Sequence, residues 1–207
     1  MRFSNIERVM RCFTPGTLIT TDEGPVPVES VHVGTRVLTR DNGFQAVRWI
    51  GRRDLTAAEL VVRPNFQPVR IAAGSLGDGL PERDLLVSPQ HRVLVTGPEA
   101  ELLFGEPEVL VAAVHLVDRQ GITRAASPMG ISYLHFMCEH HEIIRSEGAW
   151  TESYLPGEVS TSAMDAGTRA EILALFPELA LGGAGYRAAR VTLKRHQAQV
   201  LWRMRAA

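Results

Sequence analysis

Residues 11–20 read Arg11-Cys12-Phe13-Thr14-Pro15-Gly16-Thr17-Leu18-Ile19-Thr20 and begin a long series of short apolar runs separated by turn-forming residues. Runs of this kind, rich in Val, Ile and Leu, are typical of strands. They comprise Thr17–Thr20, Arg36–Thr39, Val47–Ile50, Val69–Ala72, Leu85–Val95, Val109–Val117 and Ile131–Ile144. Asn42-Gly43 lies between two of the runs and favours a hairpin. The pattern from Cys12 to about Gly157 therefore predicts a mainly β domain.

The two ends of the chain lack this strand pattern. Residues 1–11 have little core-forming character and read as a short lead peptide. Beyond Pro156-Gly157, N-cap residues and apolar residues at helical spacing predict helices. The residues concerned are Ser160–Ser162, Asp165, Ile172, Leu173, Leu175, Phe176, Leu193, Gln197, Val200, Leu201 and Met204. We also expect a short helix at Ala57–Val62 and a single turn at Glu101–Phe104. The predicted organisation is a lead peptide (1–11), a β domain (12–157) and a helical extension (158–207).

The composition is that of an ordinary globular protein. Of 207 residues, 45% are hydrophobic and only 6% aromatic, and the formal net charge is −1. This balance lacks the basic footprint and the stacking residues of a nucleic-acid-binding protein. No apolar stretch is long enough for a signal-peptide core or a bilayer span. We therefore expect no nucleic acid and no membrane as partners and, by default, a cytoplasmic location, with export by a non-classical route left open.

Cys12 heads the first predicted strand and is one of two cysteines, the other being Cys138. A cysteine in this position can attack the carbonyl of the residue before it, so that a thioester replaces the Arg11–Cys12 amide. A free thiol has a pKa of about 8.5, so such a reaction needs an activated sulfur. Taken alone, Cys12 favours the interpretation of a small buried apolar residue at a strand start over that of a nucleophile, and a Cys12–Cys138 bridge stays open.

A turn containing Ser88-Pro89-Gln90-His91 lies between two strongly apolar runs. Ser88 and His91 are three residues apart on a tight connection, so both side chains can face one backbone segment. A hydroxyl can orient a peptide group there, and an imidazole can protonate a departing amine, which contributes roughly 10²–10⁴-fold in rate. The alternative is an ordinary turn with a solvated histidine.

The run Ile131–Ile144 carries three of the seven histidines and the second cysteine. Continuous strand alternation would put His135 and His141 on one face, with Cys138 and His140 on the other. Three interpretations compete here, namely a catalytic strand, hydrogen-bonded strand histidines, and a zinc site. Zinc is the least favoured, because no second Cys/His pair completes a tetrahedral set. We expect no metal and no cofactor.

These blocks together resemble the Hint superfamily, which includes inteins, Hedgehog autoprocessing domains and bacterial intein-like proteins. Cys12–Ile19 is similar to the opening block, Gly24–Thr39 to the next, and Ser88–His91 to the Thr-x-x-His block. The segments Val47–Arg53 and Pro81–Asp84 are similar to a bacterial subfamily in particular. The resemblance covers residues 12–155 and implies a horseshoe-shaped all-β fold.

The resemblance also implies roles for individual residues. Cys12 would be the nucleophile, Ser88 would orient the scissile Arg11–Cys12 peptide, and His91 would protonate its nitrogen. His141 is similar to the histidine of the penultimate intein block, with His135 as a second candidate for that role. Asp54 is similar to an acidic residue that assists thioester resolution in Hedgehog-like members.

Several departures from the family pattern restrict the expected reaction. Thr35 replaces a common acidic residue, Ser88 replaces threonine, and the sequence ends at Ala207 without the asparagine that splicing inteins cyclise. We therefore expect a single-turnover cleavage of the chain's own N-terminal peptide without full splicing. The first alternative is a degenerate Hint-like scaffold that binds a protein partner. The second is a cysteine hydrolase that acts in trans through a Cys-His dyad.

Overall fold

A computed structural model describes residues 11–117, 119–155, 166–176 and 187–205. The prediction of a mainly β fold is confirmed. The strands are β1 (Leu18–Thr21), β2 (Gly24–Pro27), β3 (Arg36–Leu38), β4 (Phe44–Ala46), β5 (Trp49–Leu55), β6 (Val69–Ile71), β7 (Leu85–Val87), β8 (Arg92–Thr96), β9 (Glu108–Ala112), β10 (Ile122–Arg124), β11 (Ile131–Met137), β12 (Ile143–Ser146), β13 (Ala149–Glu152) and β14 (Val191–Thr192). The helices are α1 (Ala57–Val62), α2 (Pro98–Phe104), α3 (Ala166–Leu175) and α4 (Arg195–Arg205).

The strands of the described chain form one large sheet and two smaller units. The large sheet has nine strands in the order β14-β9-β8-β13-β12-β1-β3-β4, and β2 pairs with β1. A three-stranded sheet has the order β10-β6-β7, and β11 pairs with β5 as a long antiparallel ribbon. The hairpin predicted at Asn42-Gly43 is present between β3 and β4, where Leu38 pairs with Phe44.

The segment around Phe13 connects the β11–β5 ribbon to the three-stranded sheet. The Phe13 N–H donates to the Leu134 carbonyl over 2.8 Å, and the Leu134 N–H donates to the Phe13 carbonyl over 2.9 Å. Phe13 also forms a bridge with Val87 at the end of β7. The segment is thereby held between two separate sheet units, and Cys12 lies where they meet.

Two of the predicted apolar runs are interrupted in the structure. The run Leu85–Val95 divides into β7 and β8 around the turn at 88–91. The run Ile131–Ile144 divides into β11 and β12, and the residues between them belong to neither strand. The alternation expected across 135–141 is therefore wrong, because β11 ends at Met137 and His140 and His141 lie in the connection.

The helical elements follow the prediction in part. Helix α1 has the predicted bounds and begins with a capping box formed by Thr56 and Glu59. Helix α2 is longer than the single turn expected, because Pro98 occupies its start and left-handed Gly105 ends it. The N-cap candidates Ser160–Ser162 and Asp165 lie outside the described residues, as do 1–10 and the predicted boundary at 157.

The buried face of the last helix agrees only in part with the predicted one, because Leu193 and Leu201 are buried as predicted but Val200 and Met204 are not. Ala198 and Leu201 of α4 are buried in the main core together with Leu193, which precedes the helix. Val200 and Met204, which were expected on the same face, are exposed. Helix α3 packs Ile172 against a separate cluster formed with Trp49, Met137 and Tyr154. No helix of the described residues is long and apolar enough to cross a membrane.

We predict that Gly130→Ala destabilises the fold by about 1–3 kcal/mol more than Gly105→Ala. Both glycines have positive φ angles, so both substitutions strain the backbone. A Cβ at position 130 would lie 2.5 Å from the Leu55 carbonyl oxygen, whereas a Cβ at position 105 meets nothing within 4 Å. Urea unfolding of the two variants measures the difference. Equal losses would contradict the close packing of the strand that begins at Ile131.

Candidate active site

Cys12 is clamped to the turn at residues 88–91 by two reciprocal hydrogen bonds. The Cys12 backbone N–H donates to Ser88 Oγ over 2.8 Å. The Ser88 N–H donates to the Cys12 carbonyl over 2.9 Å. Both residues have no solvent exposure. The hydroxyl of Ser88 thus holds the nitrogen of the Arg11–Cys12 peptide in a fixed, dry position.

His91 lies in the same turn, with its ring against Phe13 at a centroid distance of 4.4 Å. Neither ring nitrogen has a hydrogen-bond partner of normal geometry within the described residues. Burial lowers the pKa of His91 to about 4, although the Glu152 charge and a backbone contact with Arg11 oppose this shift. His91 is therefore neutral at pH 7, close to the backbone of the residue before Cys12.

The turn itself is held by the segment that follows β9. The His91 N–H donates to the Ser88 carbonyl over 3.0 Å, which closes the turn. The Ala113 N–H donates to the His91 carbonyl over 2.8 Å, and the Val114 N–H donates to the Pro89 carbonyl over 2.9 Å. These three backbone bonds fix the positions of Ser88 and His91 relative to each other.

His135 of β11 contacts the Cys12 thiol, with 3.3 Å between Nδ1 and Sγ. Burial lowers the pKa of His135 to about 4, so the ring is neutral at pH 7. In the tautomer with its proton on Nε2, its Nδ1 accepts a hydrogen bond from the thiol. Burial also raises the pKa of the Cys12 thiol above its ordinary range, with Arg53 opposing the shift. The resting pair is therefore a neutral thiol beside a neutral imidazole.

Gly51 makes room for the His135 ring on the neighbouring strand. It pairs with His135 in the β11–β5 ribbon. A Cβ at position 51 would lie 2.4 Å from His135 Nε2 and 2.3 Å from Trp49. The His135 ring also lies against Tyr154, with 4.6 Å between centroids. A glycine inside a strand often marks a close approach of this kind, and this signal was readable in the sequence.

Glu152 of β13 lies fully buried among two arginines and a histidine. Its Oε1 is 3.5 Å from Arg11 Nε, and its Oε2 is 3.2 Å from both Arg92 Nη1 and His141 Nε2. Burial raises the pKa of Glu152, but the His141 hydrogen bond and the two arginine charges outweigh it and lower the pKa to about 2. Glu152 and Arg92 were not among the predicted site residues, because only the folding of distant strands brings them to Arg11.

His141 faces Glu152 rather than the thiol. Its Nδ1 accepts a hydrogen bond from the Ala189 N–H over 2.9 Å. Because Nδ1 accepts, the ring proton is assigned to Nε2, which points at the carboxylate. His141 therefore links the segment before β14 to Glu152, and through Glu152 to Arg11.

Asp54 is not brought to Cys12. Its side chain is exposed and bonds to Arg52 and Ser132. Ser132 and His135 are an odd number of residues apart on β11, so Asp54 lies on the opposite ribbon face from the thiol's partner. The structure thus gathers Cys12, Ser88, His91 and His135 around the Arg11–Cys12 peptide, connects His141 to Arg11 through Glu152, and leaves Asp54 outside this group.

The remaining cysteine and histidines do not form a metal site in the described part of the chain. Cys138 is buried, and burial together with the Glu142 charge raises its pKa to about 12. No disulfide joins it to Cys12, and His140 is exposed. No group of three His, Cys, Asp or Glu side chains among the described residues is arranged to hold a metal ion.

Comparison with known families identifies the fold. A family model described as Hint domain matches residues 11–158, which is more than half of the chain. The chain belongs to the Hint domain family. No curated protein matches the sequence. As a member of this family, the protein is an autoprocessing-type Hint domain with an intein-like, mainly β fold.

Solved structures with a similar fold are distant in sequence. A bacterial intein-like domain from Clostridium thermocellum is 14% identical, with a TM-score of 0.48 over 70% of this chain and 99% of that domain. A splice-inactive variant of the AceL NrdHF class 3 split intein is 12% identical, with a TM-score of 0.47 over 70% of this chain and 97% of the intein. A DnaB intein from Synechocystis sp. PCC 6803 is 8% identical, with a TM-score of 0.45 over 69% of this chain and 97% of the intein.

We predict that the stability of the Hint domain falls between pH 6.5 and pH 4, and that His91→Phe removes part of this loss. Unfolded histidine, with a pKa near 6.5, gains a proton in this range that folded His91 does not gain until about pH 4. Lowering the pH therefore favours unfolding, and His91 accounts for about 2–3 kcal/mol of the loss.

Urea unfolding of the wild type and of His91→Phe across pH 4–8 measures this contribution. Phenylalanine retains the packing against Phe13 but cannot titrate. The difference in unfolding free energy between the two proteins should stay constant above pH 7. Below pH 7, the unfolding free energy of the wild type should fall more steeply than that of His91→Phe. Curves that stay parallel down to pH 4 would show that the folded histidine is not neutral.

Proposed function

We propose that the domain cleaves its own backbone at Arg11–Cys12 by an N-to-S acyl shift followed by thioester cleavage, without full splicing. The observation that carries the proposal is the pair of contacts on Cys12. Its nitrogen is held by Ser88 Oγ at 2.8 Å, and its sulfur lies 3.3 Å from an imidazole nitrogen that can accept a proton. The two atoms that exchange the acyl group are thus each held by a separate side chain.

In the first step, His135 Nδ1 accepts the proton of the Cys12 thiol. The sulfur bonds to the Arg11 carbonyl carbon, and the carbonyl oxygen carries the negative charge of the tetrahedral intermediate. The C–N bond then breaks and the nitrogen of Cys12 gains one proton to become an amine. His135 keeps the thiol proton, while His91 takes a proton from solvent water and passes it to nitrogen. His135 then returns its proton to solvent, so the step balances with water as the only other participant.

His91 is the residue that delivers the proton to nitrogen in this proposal. It lies in the turn that holds the Cys12 nitrogen and close to the Arg11 backbone. In the resting domain it is neutral because burial lowers its pKa to about 4. Negative charge that develops on the adjacent carbonyl raises its affinity for a proton, which couples its protonation to the formation of the intermediate.

The thioester is resolved by an external nucleophile in the second step. Water or a thiol adds to the acyl carbon, the C–S bond breaks, and Cys12 recovers its thiol as the sulfur gains a proton. Residues 1–11 leave as a carboxylic acid or as the thioester of the added thiol. His135, whose Nδ1 lies 3.3 Å from the sulfur, is the residue that we assign to this step, whereas Asp54 is exposed and bonds to Arg52 and Ser132.

The asparagines support cleavage rather than splicing. Splicing of the intein type ends with cyclisation of an asparagine at the downstream end of the domain. The sequence contains three asparagines, Asn5, Asn42 and Asn65, and none follows the last strand of the matched region. The Asn42 side-chain amide also donates to both carboxylate oxygens of Glu142, a residue far from Cys12 along the chain.

We predict that a strong thiol releases residues 1–11 from the wild type and that Cys12→Ala abolishes this release. Intact-mass spectrometry after incubation with dithiothreitol separates the full chain from the fragment that begins at Cys12. Cys138→Ala is the matched control, because it removes the other buried cysteine and should leave release unchanged. A wild type that keeps its N-terminus under these conditions would favour the alternative of a partner-binding scaffold.

We predict that Ser88→Ala slows release by roughly 10- to 100-fold, because the buried Cys12 N–H loses its acceptor at a net loss of about 1–3 kcal/mol. Ser88→Thr restores the hydroxyl and should return most of the rate. Time courses of intact mass give both rates. A Ser88→Thr protein as slow as Ser88→Ala would indicate that packing, and not the hydrogen bond, is what the site requires.

A further inference from the structure

The side chain of Arg11 occupies a pocket of its own beside the scissile bond. It is only 13% exposed, and its Nε lies 3.5 Å from Glu152 Oε1. Its Nη1 also donates to the Leu155 carbonyl. The residue before Cys12 is therefore held by one ion-pair contact, to the Glu152 carboxylate, and by one hydrogen bond, to the Leu155 carbonyl.

The two oxygens of Glu152 are divided between different partners. Oε2 faces Arg92 Nη1 and His141 Nε2, each at 3.2 Å. Oε1 is buried and has no hydrogen-bond partner within the described residues. The ion pair that the described residues give it is the one with Arg11 Nε at 3.5 Å. A buried carboxylate oxygen is costly to leave unpaired. We therefore expect a positive charge at position 11 to stabilise Glu152 Oε1.

The charges of this cluster also bear on the reacting carbonyl. Arg92 balances Glu152, and His141 is assigned a single ring proton because its Nδ1 accepts from Ala189. Arg11 therefore adds a positive charge that the buried cluster does not cancel. This charge belongs to the residue whose carbonyl oxygen becomes negative during the acyl shift, where a fixed positive charge stabilises the intermediate.

We propose that the domain is selective for arginine immediately before its nucleophilic cysteine, and that Glu152 is the specificity-determining residue. This inference rests on the proposed cleavage at Arg11–Cys12 and names the substrate class of that reaction. A lysine at position 11 would retain the charge but not the second donor toward Leu155. A neutral side chain would leave Glu152 Oε1 unpaired, and an acidic one would repel it.

Substitutions at position 11 test the selectivity through the rate of release. We expect Arg11→Met to slow thiol-induced release by roughly 30-fold or more, since one partner of a buried charge pair is lost. The release rate of Arg11→Lys should be intermediate, and Glu152→Gln should reduce the preference for arginine over methionine at position 11.

Arg48→Met is the matched control, because Arg48 contacts Glu139 at a similar 3.3 Å, but both side chains are exposed. Equal release rates for Arg11→Met and the wild type would overturn the selectivity while leaving the cleavage itself intact.

Chemical complementation tests the pocket without relying on cleavage. Arg11→Ala removes the two carbons and the guanidinium that ethylguanidinium can replace. We expect ethylguanidinium to raise the melting temperature of Arg11→Ala but not of the wild type, whose pocket is filled, nor of Arg11→Ala/Glu152→Gln. Ethylurea, which has a similar shape without the charge, should have no effect.

The two readouts separate the two proposals. If the wild type releases no peptide but ethylguanidinium stabilises Arg11→Ala in a Glu152-dependent manner, the arginine-binding pocket is supported and the proposed cleavage is contradicted. If the wild type cleaves but ethylguanidinium neither stabilises Arg11→Ala nor speeds its peptide release, the arginine-binding pocket is contradicted and the proposed cleavage is supported.

Discussion

The reciprocal pair of hydrogen bonds between Cys12 and Ser88 is the constraint on which the rest of the site depends. It connects the start of the β domain to a turn 76 residues further along the chain. The same segment bonds to β11 through Phe13 and Leu134. The N–H and the carbonyl of Cys12 and the backbone of Phe13 are thereby fixed, and the Cys12 sulfur lies 3.3 Å from His135 Nδ1. In the proposed reaction, this arrangement keeps the Arg11–Cys12 peptide bond next to the sulfur that attacks it.

A second feature of the site is its dryness. Cys12 and Ser88 have no solvent exposure, and His91 is nearly as buried. Burial makes the thiol a weaker acid and both histidines weaker bases, so the resting site contains neutral groups and stays compatible with a stable fold. The same low polarity strengthens every electrostatic interaction once charge develops. The proposed reaction therefore depends on the geometry of the site rather than on a resting thiolate.

The buried charge cluster joins the reaction centre to the C-terminal part of the chain. Glu152 contacts Arg11 on one side and His141 on the other, and His141 accepts from Ala189. Arg190, the next residue, pairs with Glu108 and Asp41. The segment around Ala189 and Arg190 therefore packs onto the Hint domain through polar contacts that lead through His141 and Glu152 to Arg11.

The sequence by itself determined the mainly β class, the hairpin at Asn42-Gly43, helix α1 and the pairing of a leading cysteine with a Ser-x-x-His turn, because these signals are local or lie in short blocks. Tertiary structure alone decided which histidine meets the thiol, since the end of β11 at Met137 separates His135 from His141. It also decided that Glu152 faces Arg11 and that Asp54 faces away. Contacts of this kind depend on how distant strands pair, and a charged residue in one strand carries no mark of the partner that another strand will bring to it.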